Sequence, residues 1–124
     1  MFVTDERRIR FSIVTDDIMR SRALYEDALG LSMRPLSNAI LMFPLGEAEF
    51  EVCHRDAASE LVEFDFGQAR TSGLLISLRF FSEERMNDAA GKALEVGALL
   101  VDQVESKWWT LEDFNGVSWR FTLR

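Results

Sequence analysis

The chain has 124 residues, with 14 Lys and Arg against 21 Asp and Glu, a formal net charge of −7, one His, one Cys and 48% hydrophobic residues. One Cys and one His make neither an internal disulfide nor a His/Cys zinc site. An acidic chain without a basic cluster is a poor partner for nucleic acid or anionic membrane, and no apolar run approaches the roughly 20 residues that span a bilayer. Met1 begins no signal-like segment, so the expectation is a cytoplasmic protein with one domain, or two small halves sharing a core.

In chain order, residues 9–14 alternate apolar and polar, the pattern of a half-buried strand. Thr15, Asp16 and Asp17 read as a helix start, and Ile18, Tyr25, Ala28 and Leu29 recur at helical spacing. The spacing predicts a helix over 17–29, ended by Gly30. Three short strands follow near 31–34, 39–43 and 48–53, with Pro35, Asn38 and Gly46 in their turns. Residues 57–72 are polar and acidic and read as a connector, with a short strand expected near 61–66. The pattern then restarts: a strand over 74–81, a Ser82-capped helix with Met86, Ala89, Ala90 and Ala93 on its apolar face, Gly97 as terminator, and strands near 99–104, 107–111 and 117–123.

The two halves superpose at an offset of 67 residues without a gap. Ile9 falls on Ile76, Phe11 on Leu78, Thr15 on Ser82, Ala23 on Ala90 and Gly30 on Gly97. Two units are too few for a solenoid. They read as α+β: two tandem βαβββ modules, about 8–56 and 73–124, within a single domain over 1–124, forming a curved mixed sheet around a cavity.

Arg10 to Asp17 followed by Tyr25-Glu-Asp-Ala-Leu-Gly-Leu31 resembles the opening strand and "FY…LGL" helix of the vicinal oxygen chelate superfamily, which includes glyoxalase I, bleomycin-resistance proteins and extradiol dioxygenases. Leu111 to Phe121 is similar to that family's "DPxGxxWE" turn and last strand, with Asp113, Gly116 and Trp119 in the matching places. The resemblance implies paired modules around a cavity that in many members holds a divalent metal, and dimers among the short members. It also shows what this chain departs from. The family's histidine positions, 20 residues before each terminating glycine, carry Arg10 and Ser77, and Arg120 stands where the last-strand Glu would be. Only Glu51, or Glu49 one pleat away, keeps a ligand type. A guanidinium has no lone pair to donate and repels a dication, so the expectation is no metal and no cofactor.

Strand parity puts Arg10, Ser12, Glu49, Glu51, Ser77, Arg79 and Arg120 on the cavity side, and Ile9, Phe11 and Ile13 toward the helix. Of the adjacent Trp108 and Trp109, one must face each side, and Trp109 is taken as the ligand-stacking candidate. No catalytic residue is assigned. Two readings of the arginines stay open: Arg10, Arg79 and Arg120 converge on an anionic ligand, or Arg10 and Arg120 pair with Glu49 and Glu51 as an internal ion network. The leading functional expectation is a metal-independent homodimer that binds an anionic or aromatic small molecule, resembling bleomycin-resistance-type proteins. The alternatives are a divergent metal-free lyase or isomerase using Glu51 as base, and a dimeric interaction module without ligand.

Overall fold

In the computed structural model, which describes residues 9–56, 74–105 and 107–123, each half runs strand, helix, strand, strand, strand. The first contains β1 (Ile9–Thr15), α1 (Ile18–Arg22), β2 (Arg34–Ser37), β3 (Ile40–Leu45) and β4 (Ala48–His54). The second contains β5 (Leu75–Phe80), α2 (Glu83–Glu95), β6 (Leu99–Val104), β7 (Trp108–Glu112) and β8 (Ser118–Leu123). The strands form two four-stranded mixed sheets, ordered β1-β4-β3-β2 and β5-β8-β7-β6, rather than one continuous curved sheet. In each, the outer strand runs parallel to the last one and the remaining pairs are antiparallel. The expected strand near 61–66 lies outside the described residues.

Local chemistry accounts for the helices. Ser82 caps α2 by accepting from the Arg85 amide at 3.2 Å, and Met86, Ala89, Ala90 and Ala93 bury one face at helical spacing. Gly97 (φ +105°) closes it: the Ala98 amide donates to the Ala93 carbonyl and Gly97 to Leu94, the paired bonds of a Schellman stop. In the first half the cap sits two residues later than the sequence pattern indicates. Asp17, not Thr15, accepts from the Arg20 amide, while the Thr15 hydroxyl accepts from the Asp17 amide. The Asp17 carboxylate thus satisfies the N3 amide of the first turn, the usual work of an N-cap side chain. After Arg22 the helix widens into a π-wound segment, Ala23–Ala28, with the Leu29 amide bonded to the Leu24 carbonyl at 3.0 Å. The wide turn lets Leu24, Tyr25 and Ala28 all face inward.

One core joins the halves. Tyr25 packs edge-on against Phe50 (5.1 Å between centroids) and Phe43 (5.6 Å) of the first sheet, and lies 5.7 Å from Trp119 of the second. Its hydroxyl donates to Asp113 at 2.7 Å, across 88 residues of sequence. Asp113, in the turn between β7 and β8, also accepts from the Trp119 indole (2.9 Å) and from the amides of Asn115 (2.8 Å) and Val117 (3.1 Å). The Asn115 side chain donates onward to Tyr25 and Ser21, both at 3.0 Å. A buried carboxylate met by four donors is satisfied, as buried polar groups must be. Burial still raises its pKa above the ordinary value. At the other end of this seam, the Arg20 guanidinium donates to the Val96 carbonyl at the end of α2 and stacks on Phe114, 4.1 Å from the ring centre.

One expectation fails at the sheet edges. Ile9 and Phe11 share the helix-facing parity of buried Ile13 but remain 62% and 39% exposed. β1 ends its sheet, and the core covers only its C-terminal end.

Candidate functional site

Both sheets spend their helix-facing sides on the common core, so their opposite faces carry the candidate residues. On the first sheet, register pairs Arg10 with Glu49, Ser12 with Glu51 and Val14 with Cys53. The Arg10 guanidinium donates to Glu49 twice, from Nε at 3.0 Å and from Nη2 at 2.9 Å, and its Nη1 lies 3.4 Å from Glu51. Glu51 also accepts from the Ser12 hydroxyl (3.4 Å) and the Cys53 thiol (3.2 Å). The bond to Glu49 and the nearby charge of Glu51 hold Arg10 still more firmly protonated. Burial, then Glu51 beside it, push the Cys53 thiol up to about 12, so it is no nucleophile near neutrality.

On the second sheet the register sets Ser77 beside Arg120 and Thr110, and Arg79 beside Thr122 and Trp108. Arg120 Nε donates to the Thr110 hydroxyl at 3.2 Å, and its guanidinium lies 5.6 Å from the Trp108 ring centre, within cation–π range. Arg79 and Ser77 are exposed. This face therefore offers two guanidiniums, a row of hydroxyls and an indole, with the Asp102 carboxylate beside them accepting from the Trp108 N–H at 3.3 Å.

The structure divides what the sequence grouped. Arg10 joins Glu49 and Glu51 on one sheet, as the ion-network reading has it, while Arg120 bonds within the other sheet beside Arg79. The two tryptophans divide between the faces. Trp108 is the one on the face with Arg120. Trp109 shares the helix side with Phe121, and its indole donates to Asn87 of α2 at 2.9 Å. Pairing alone decides this: Trp109 faces Phe121 in register, and Phe121 is fully buried in the core. The single histidine, His54, pairs with Thr15, on the parity of buried Phe50 and Val52.

The donor set does not fit a metal of the kind the resemblance implies. Two of its four positions are guanidiniums, Ser77 is a weak neutral donor, and the remaining carboxylate, Glu51, is already engaged by Arg10, Ser12 and Cys53. Among the described residues no three His, Cys, Asp or Glu side chains cluster closely enough to hold an ion. No helix among them is long and apolar enough to cross a membrane.

No family model and no curated protein matches the sequence. Solved structures do match the fold. A glyoxalase/bleomycin resistance protein/dioxygenase family enzyme from Burkholderia phytofirmans PsJN aligns over 92% of this chain and 95% of its own, at 19% identity and a TM-score of 0.70. A glyoxalase-related enzyme from Fulvimarina pelagi aligns over 94% and 86%, at 14% identity and 0.71. A hypothetical protein from S. aureus aligns over 100% and 96%, at 16% identity and 0.71. The fold is that of the glyoxalase/bleomycin-resistance/dioxygenase proteins.

Proposed function

We propose that this chain is a metal-independent small-molecule-binding protein, similar in kind to bleomycin-resistance proteins, and that it works as a homodimer. The observation that carries this reading is the replacement of metal-ligand chemistry by Arg120 on Trp108 and Thr110, with Arg79 beside them. Paired guanidiniums with an indole suit a flat, anionic organic molecule: the charges meet a carboxylate or phosphate, and the ring stacks. On the helix-free faces of the two sheets Arg10, Ser77 and Arg79 are exposed in a single chain; a second copy would cover them. The exposed Leu75 of the outer strand β5, on the same face as Ser77 and Arg79, supports such a contact. A lyase or isomerase built on Glu51 as base is less well supported, because both oxygens of that carboxylate already meet donors.

Native mass spectrometry of freshly purified protein tests this reading directly. The expected species is a metal-free dimer carrying a co-purified organic anion, whose occupancy falls in Arg120→Gln. Stoichiometric zinc, nickel, manganese or iron lost on Glu51→Gln, or a strictly monomeric protein, would overturn it.

A further inference from the structure

The outer strand of the second sheet, β6, breaks register. Leu99 stands opposite Glu112 and Leu100 opposite Leu111, but the next pair is Asp102 with Thr110, followed by Gln103 with Trp109 and Val104 with Trp108. Val101 is the extra residue at the shift, 59% exposed. Successive side chains on a strand point to opposite faces, so one inserted residue transfers everything after it to the other side. In unbroken register Val101 would stand opposite Thr110, and Asp102 would stand opposite Trp109, on the side of α2. The bulge puts Asp102 instead on the face of Thr110, Arg120 and Trp108. There its carboxylate is held at both oxygens. Oδ1 accepts from the Gln103 amide at 2.9 Å and Oδ2 from the Trp108 indole N–H at 3.3 Å. The same ring has the Arg120 guanidinium 5.6 Å from its centre, and Arg120 Nε is engaged by the Thr110 hydroxyl at 3.2 Å. With Nε engaged, the donors that Arg120 can turn to a guest are its Nη groups.

We propose that Asp102 is the positioning residue of this face: re-aimed by the bulge, it holds the Trp108 ring so that the ring and Arg120 meet a flat organic anion in one fixed geometry. A carboxylate has no electrostatic use beside a site for anions, because it repels the ligand. Its use here is geometric: it fixes the plane of an indole that would otherwise turn about its own side-chain bonds. Bulges serve this purpose elsewhere, turning a side chain toward a site that regular pairing would deny it. The role presupposes that the Arg120 face is the binding face proposed above.

The test is titration of the full chain with phenyl phosphate, followed through the indole N–H resonances of ¹⁵N-labelled protein, that of Trp108 being assigned by its absence in Trp108→Phe. Before any ligand is added, the Trp108 resonance is expected to move in Asp102→Ala, which has no acceptor, and to stay near its wild-type position in Asp102→Asn, whose amide oxygen takes the same bond. With phenyl phosphate, Asp102→Ala is expected to bind about fivefold more weakly than wild type, the equivalent of one modest hydrogen bond. Asp102→Asn should bind at least as tightly as wild type, because it keeps the acceptor and removes a like charge. Charge alone predicts the opposite for alanine: tighter binding in both variants. A Trp108 resonance that Asp102→Ala leaves in place, an Asp102→Ala affinity equal to or above wild type, or equal weakening in Asp102→Asn would each overturn the role of Asp102. Wild-type binding that weakens in Arg120→Gln would still stand in those cases and keep the face as a site. Absence of any saturable shift in wild type would overturn the binding face, and with it the role built on that face.

Discussion

Tyr25 is the only tyrosine in the chain, so tyrosinate absorbance near 295 nm reports one hydroxyl. That hydroxyl is fully buried, donates to Asp113 and accepts from Asn115. Burial, and then the Asp113 charge, hold its pKa well above the ordinary 10. A group whose folded pKa is raised contributes its full stability below the unfolded pKa and loses it as pH rises beyond. The folded state cannot form the phenolate, whereas the unfolded chain does so from about pH 10. The loss grows to about 1.4 kcal/mol by pH 11. Tyr25→Phe should cost about 1.5–3 kcal/mol at pH 7, the usual net value of a buried hydrogen bond to a charged acceptor, and should lack this alkaline slope. Urea unfolding from pH 8 to pH 11 is therefore expected to show the gap between wild type and Tyr25→Phe narrowing by about 1.4 kcal/mol. Cys53 titrates in both proteins and cancels in the difference. In the native protein the 295 nm signal should rise only together with the loss of near-ultraviolet circular dichroism. A reversible titration near pH 10 with dichroism intact would refute the buried Tyr25–Asp113 bond.

The Cys53 thiol, pushed up to about 12, should hold roughly one thiolate in three thousand at pH 8.5; iodoacetamide should leave it unmodified in native buffer and alkylate it fully in urea, as mass spectrometry will show. Its raised pKa stabilises the fold below the ordinary thiol range and ceases to do so above it. Gly97→Ala combines an unfavourable φ of +105° with a Cβ that meets the Arg20 guanidinium. The expected cost is about 1–3 kcal/mol by urea unfolding, and adding Arg20→Ala should relieve the collision while leaving the backbone strain. Equal midpoints for Gly97→Ala and wild type would count against this account.

Elements that depend on neighbouring residues were legible. The alternation in β1 and β5, the apolar face of α2, the terminating glycines and the bounds of β6 all follow from period and local chemistry. β2 was misplaced: it was expected near 31–34 and runs Arg34–Ser37, because a short strand beside a proline carries little periodic signal. What depends on how the halves meet was not legible. Exposure of Ile9 and Phe11 follows from β1 being an outer strand, which parity cannot reveal. The separation of Arg10 from Arg79 and Arg120 follows from two sheets turning the same faces inward. Parity showed that Trp108 and Trp109 point apart, yet only the pairing of Trp109 with Phe121 says which points where. The turn around Asp113 was visible as a motif, while its partner Tyr25, 88 residues away, was not.

The same bond makes the two halves of the repeat complementary instead of equivalent. At the position of Tyr25 in the second helix stands Lys92, exposed and 3.1 Å from Asp88, and the hairpin between β3 and β4 bends at Gly46 where the second half has its acceptor turn. Two first halves would bury a pair of phenols with no carboxylate between them; two second halves would offer carboxylates with no phenol to receive. The halves are thus built to recognise each other and not themselves. Supplied as separate fragments, they should assemble as a one-to-one pair and refuse self-pairing, so the arrangement within a chain carries its own specificity.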